Sequence, residues 1–181
     1  ELVLRGLGAR TGSQPSVTEE EIHALLAEGS DAGVIEHTEH AMVRNVFRLD
    51  DRQISSLMIP RADIVWLDID DPLQVNLDKV ADTAHSRFPV CRGGLNEVLG
   101  FVHTKQLLAQ ALRGVPIDLA VGLHEMLYVP ETLTGMELLE NFRSSNTQVA
   151  LVIDEYGEVQ GLITLQDLME AITGEFATGD E

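Results

Sequence analysis

The chain can be laid over itself. Displaced so that Val98 falls on Val159, it also sets Gly100 on Gly161, Phe101-Val102 on Leu162-Ile163 and Leu107 on Leu168. At the same displacement Phe88-Pro89-Val90 falls on Val149-Ala150-Leu151 and Leu67 on Tyr128, with no gap needed between these anchors. A fixed period marks a duplicated supersecondary unit and restricts the fold more than any single motif does. A unit of about sixty residues buries too little surface to stand alone, so the copies are expected to pack on each other. Two related units then generate two related clefts, and the boundary between the copies is where a ligand is expected.

Each copy alternates short β-branched runs with helical spacing. In the first, 64–67 predicts a strand, and 73–81 predicts a helix started by Asp70-Asp71-Pro72. A strand at 88–91, a turn at Arg92-Gly93-Gly94, a strand at 98–102 and a helix at 106–112 follow. In the second, the pattern predicts strands at 126–129, 149–153 and 159–163 and helices at 134–142 and 165–172. Asp154-Glu155-Tyr156-Gly157 supplies the turn between its last two strands. Each copy therefore reads β-α-β-β-α, and the expected fold class is α+β, two packed repeats behind a helical leader.

The leader holds a helix over 18–28, with Thr18 and Glu21 as a capping box and Gly29 as its stop. A second helix is expected over 36–49. Residues 1–16 read as a connector, with Arg5 and Arg10 as a basic pair, either flexible or next to a membrane part. The expected divisions are the connector at 1–16, the leader at 17–58, repeats at 59–118 and 119–176, and a tail at 177–181. The first residue is Glu, so the chain is expected to be a fragment of a longer protein.

Twelve basic residues against thirty acidic give a formal charge of −18. That field repels DNA and an anionic membrane surface. A nucleotide remains compatible if a local pocket supplies cations or a divalent metal. Cys91 is the only cysteine, which excludes an intrachain disulfide framework and a cysteine-rich zinc site. No run reaches the roughly twenty apolar residues that span a bilayer. His37 and His40 lie i, i+3 beside Glu36 and Glu39, but without a third ligand a solvated helix surface is the simpler reading. No nucleophile and base constellation is signalled, so the chain is expected not to be an enzyme.

Thr164, at the strand-to-helix junction of the second copy, precedes Asp167 by three residues. Two readings fit. One is a capping box, in which the hydroxyl and carboxylate satisfy first-turn N–H groups. The other is a nucleotide site, in which the helix N-terminus and hydroxyl meet phosphate and the carboxylate accepts from ribose hydroxyls.

The doubled unit, closed by Gly161-Leu162-Ile163-Thr164-Leu165-Gln166-Asp167, resembles a tandem pair of CBS (cystathionine-β-synthase) domains, a Bateman module. It is more closely similar to the cytosolic portion of the CorC/HlyC (hemolysin-like, CNNM-type) magnesium and cobalt transport family. The stretches that carry this are Leu57-Met58-Ile59-Pro60-Arg61-Ala62-Asp63, His85-Ser86-Arg87-Phe88-Pro89-Val90 and Asp154-Glu155-Tyr156-Gly157. The resemblance implies AMP or ATP in the cleft between the repeats, and the −18 charge makes Mg²⁺ the expected companion of ATP there. Thr164 would meet phosphate and Asp167 the ribose. His85, Ser86 and Arg87 would reach across from the first copy, with Arg87 on phosphate. Ile59, Pro60 and Pro89 would wall the base, and Arg61 and Ile163 complete the expected set. A transmembrane domain upstream in the full-length protein and a place on the cytosolic face of the bacterial inner membrane are implied too; a homodimer is expected because a doubled unit with a broad helical face tends to find a two-fold partner.

Two positions depart from the family pattern. His103 and Gln106 stand in the first copy where Thr164 and Asp167 stand in the second, so the first site is expected to bind poorly. Ile59 replaces a threonine. Two rival readings remain open: a ligand-free dimerisation module, and a direct divalent-cation sensor using Asp68, Asp70 and Asp71, which ordinary helix-start chemistry also explains.

Overall fold

The structure is a computed structural model and describes residues 17–174. The expected connector, with Arg5 and Arg10, and the expected tail at 177–181 lie outside the described residues. The chain divides into two compact units, the first ending at Arg44 and the second beginning at Asn45.

In the first unit, α1 (Glu19–Asp31) carries the expected capping box. Thr18 Oγ1 accepts from Glu21 N at 3.3 Å, and the Glu21 carboxylate accepts from Thr18 N at 3.4 Å. The helix does not stop at Gly29 as its sequence suggested. An internal glycine costs only about 1 kcal/mol, and its carbonyl accepts from Val34 N at 2.9 Å and Ile35 N at 3.1 Å. A Cβ at position 29 would meet Ile35 Cδ1 at 2.9 Å, so the glycine makes room for the returning chain. Helix α2 (His37–Asp51) follows, and His37 Nδ1 lies 2.9 Å from Ser30 Oγ.

The second unit holds the last two turns of α2 and both repeats. The first repeat contains β2 (Leu67–Asp68), α3 (Leu73–Ala81), β3 (Arg87–Cys91), β4 (Val98–His103) and α4 (Thr104–Leu112). The second contains β5 (Leu127–Pro130), α5 (Gly135–Ser145), β6 (Val149–Ile153), β7 (Val159–Thr164) and α6 (Leu165–Thr173). In each, the first strand lies parallel to the second, and the second and third form an antiparallel hairpin.

The duplication holds, but its period is not constant. Leu67 pairs with Val90 and Val129 with Val152, while Phe88 pairs with Val102 and Ala150 with Ile163. The first two strands of the copies therefore correspond at one displacement, and the third at a displacement shorter by one position. The gapless shift expected from sequence is corrected by this one position, dropped in the hairpin turn: residues 92–97 join β3 to β4, and 154–158 join β6 to β7. Leu67, fully buried, matches the buried Val129 and not Tyr128, which is 45% exposed.

The expected strand at 64–67 shrinks to Leu67–Asp68, for a topological reason. A two-residue strand, β1 (Ile59–Pro60), pairs antiparallel with β7, so the segment leading into the first repeat completes the sheet of the second. The order is β1-β7-β6-β5 there and β2-β3-β4 in the other sheet. Residues 61–66 cross between the sheets and cannot also pair within one. The exchange is reciprocal. His124, leading into the second repeat, bridges Phe101 on β4, with Phe101 N to His124 O at 3.0 Å and His124 N to Phe101 O at 2.9 Å.

The two glycines that anchor the repeat sit where these segments cross. A Cβ on Gly100 would lie 2.5 Å from His124 O, and one on Gly161 would lie 2.6 Å from Ile59 O. Both hairpins are buried on both faces, which accounts for their unbroken apolar runs. Ala150 and Val152 of β6 face a core with Leu49, Ile54, Leu138 and Leu168, while Val149 and Leu151 face a second core shared with Cys91 and Phe101 of the first repeat. Phe88, Val90, Val102 and Leu107 fill a third. Leu49, on α2, thus belongs to the interior of the second repeat.

Asp68, with Asp70 in the acidic trio before Pro72, shapes a turn. Its carboxylate accepts from Asp70 N at 3.1 Å and from Gly93 N at 3.1 Å.

Candidate functional site

The antiparallel end of β7 feeds directly into α6, so the first turn of that helix opens at the boundary of the repeats. Thr164 is its N-cap in extended conformation. Thr164 N and Oγ1 donate to Asp167 Oδ2 at 2.6 and 2.7 Å, and Thr164 Oγ1 accepts from Asp167 N at 3.3 Å. The capping reading therefore holds as geometry. Among the described residues, the bonds to this carboxylate all fall on Oδ2, which leaves Oδ1 as an acceptor. Capping and ligand binding are compatible here.

A cleft of about 730 Å³ opens in front of this helix start, within the range of small-molecule sites. Of the expected residues, Ile59, His85, Ser86, Arg87, Pro89, Thr164 and Asp167 line it. Three expected residues lie elsewhere. Ile163 is fully buried in the core beneath, because strand alternation turns it away from the face that carries Leu162 and Thr164. Arg61 donates to Val159 O at 2.8 Å and to Asn96 Oδ1 at 2.7 Å, tying the two repeats beside the cleft. Pro60 is exposed and pairs with Gly161.

Arg87 Nη2 donates to Gln148 Oε1 at 2.5 Å. A salt bridge to a local acid is the usual fate of an arginine in so acidic a protein, and among the described residues Arg87 makes none. Asp63, Asp167 and Glu170 also line the cleft, so its carboxylates outnumber its one arginine. Sequence reasoning passed over Gln148 and Glu170, and met Asp63 only as the end of a motif rather than as a cleft residue. Gln148 belongs to no motif. The signal that could have found it is its place: it directly precedes β6 as Ser86 directly precedes β3, on the counterpart of the expected phosphate segment.

A second cleft of about 650 Å³ sits at the matching place in front of α4. Its lining includes Arg87 and Gln148 again, with His103, Phe101 and His124. The three rings cluster. Phe101 stacks on His124 with centroids 5.1 Å apart, and His103 meets His124 edge-on at 4.9 Å. Burial, then the positive charge of Arg87 and then His124, push the His103 pKa below its usual 6.5. Gln106 accepts from His103 N at 3.0 Å and donates to Gly122 O at 3.1 Å, so its amide holds the crossing segment.

The family model described as CBS domain matches residues 54–113 and 121–174. The UPF0053 protein sll0260 of Synechocystis is 43% identical over 179 residues, 99% of this chain and 40% of that protein. The polyamine export protein of Escherichia coli K12 is 35% identical over 161 residues, 88% of this chain and 36% of that protein. The chain thus spans well under half the length of these relatives. The solved CBS domain of a bacterial CNNM/CorC family Mg²⁺ transporter superposes with a TM-score of 0.78 at 30% identity, covering 88% of this chain and 98% of that one. The same family's CBS domain in complex with ATP gives 0.68 at 30% identity, with 76% and 99% covered. A CBS-domain pair from Klebsiella pneumoniae with bound AMP gives 0.59 at 28%, with 67% and 98% covered. No helix among the described residues is long and apolar enough to cross a membrane.

Proposed function

The chain belongs to the CBS-domain family, with two copies in tandem, and on that premise we propose that it is the adenine-nucleotide-binding regulatory module of a CorC/CNNM-type cation transporter. The observation that carries this is the convergence of Thr164, Asp167 and Arg87 on one cleft of nucleotide size. Thr164 and the first N–H groups of α6 hold phosphate, with Arg87 opposite. Asp167 Oδ1 accepts from the ribose, and Ile59, Ile64 and Pro89 wall the base. The ATP and AMP complexes of structural neighbours support the ligand class.

The module is non-catalytic. It acts on a transmembrane domain of the same full-length protein, from the cytosolic side, and works as a homodimer. The relatives' names divide over cargo, Mg²⁺ in one case and polyamines in another. All are cations, and the module reads nucleotide rather than cargo.

Mg²⁺ enters with the triphosphate. The cleft offers one arginine against three carboxylates, and the whole chain carries −18. A helix start supplies only about half a positive charge. Mg²⁺ bridging phosphate oxygens offsets most of the remaining repulsion. Isothermal titration of AMP and ATP, with Mg²⁺ or with EDTA, tests the reading. Micromolar-range binding of one nucleotide per chain, tighter for ATP with Mg²⁺, is expected. Absence of any nucleotide binding would return the site to a helix cap.

A further inference from the structure

Gln148 touches both parts of the cleft that face phosphate. Its side-chain oxygen accepts from Arg87 Nη2 at 2.5 Å, and its main-chain carbonyl accepts from Leu165 N, the first residue of α6, at 3.0 Å. The first repeat has the matching main-chain bond, Thr104 N to Ser86 O at 3.0 Å, but there the side chain is only a hydroxymethyl. One residue of the second repeat therefore fixes an arginine of the first relative to the helix start.

The chemistry of the partner matters as much as its place. The chain has thirty acidic residues, and Asp63, Asp167 and Glu170 stand around the same cleft. A carboxylate at position 148 would hold the guanidinium equally well but would cancel its charge. An amide oxygen orders the fork and leaves the positive charge whole, with further N–H donors for a ligand.

We propose that Gln148 is a positioning residue for anion recognition: it presents Arg87 to the ligand phosphate without neutralising it. This rests on the nucleotide reading above and adds to it a residue that acts through Arg87.

The test is a double-mutant cycle on the whole chain, titrated with Mg–ATP and with adenosine, with thermal melts as folding controls. Gln148→Met keeps the length and removes the acceptor. It should weaken ATP about fivefold and leave adenosine within about twofold. In an Arg87→Ala background the same change should have no further effect, since the two residues act as one unit. Gln148→Glu should weaken ATP more than Gln148→Met does, again sparing adenosine. Equal losses for ATP and adenosine, or additive losses in the cycle, overturn the proposal while leaving the nucleotide site standing. A wild-type chain that binds neither ligand overturns both.

Discussion

At the start of α6 stand Thr164 and Asp167; at the start of α4, one repeat earlier, stand His103 and Gln106. The backbones are equivalent, each helix following its strand without a break. The second repeat presents a small hydroxyl and a carboxylate with a spare oxygen. The first presents an imidazole held edge-on against two other rings, and an amide whose two ends are bonded to His103 and Gly122. Duplication copies a scaffold, and a few side chains decide which copy keeps an open helix start. Arg87 and its partner Gln148 line both clefts, so the copies share a cation and its acceptor and diverge at the helix starts they face.

The hardest blow to this pair is to their common geometry. Gly100→Val and Gly161→Val each drive a side chain into a crossing segment, and each should cost about 3 kcal/mol in urea unfolding. A large loss at one glycine and none at the other would break the equivalence of the copies.

Next comes ligand. Asp167→Ala should weaken ATP and adenosine alike by roughly 10- to 100-fold, and Gln106→Ala should change neither. Calorimetry that finds two sites of similar affinity would erase the distinction between the clefts.

The capping role is separable. Thr164→Ala should lower stability by about 1 kcal/mol in the absence of nucleotide. His103→Ala should not do so through its helix, because the Gln106 bond to the main chain survives.

The smallest effect is in pH dependence. The folded state holds a proton on His103 less readily than the unfolded chain, whose value is near 6.5. The stabilising contribution of the neutral ring is therefore complete above 6.5 and is lost as pH falls through the lower folded value. His103→Thr should flatten the stability profile between about pH 7 and 5. An unchanged profile would mean that the ring cluster carries no proton linkage.

The repeat, the hairpins and the Thr164–Asp167 pair were legible because each is written in local pattern: apolar runs, helical spacing, a three-residue box. What escaped was set by distant partners. Ile59 and Pro60 form a strand only because β7 lies beside them, and a strand of two residues ending in proline has no signature of its own. The one-position slip went unseen because Tyr128 and Val129 both suit a strand; only burial tells them apart. Ile163 sat inside a motif, and alternation along β7 turned it to the other side. Gln148 looked like any loop residue until Arg87 was placed against it.

The exchanged strand also imposes an order in time. Ile59 waits for Leu162, more than a hundred positions later. At about 5–20 residues per second, a ribosome takes on the order of 5–20 s to deliver that partner. Closing so long a loop costs about 2–3 kcal/mol more than closing a short hairpin. During that interval Leu49, Ile54 and Met58 have no β7 and no α6 to cover them. The end of α2 and the segment after it therefore stay uncovered until the second repeat is complete, and a chain cut short within the second repeat should be a better substrate for chaperones and proteases than its length alone suggests.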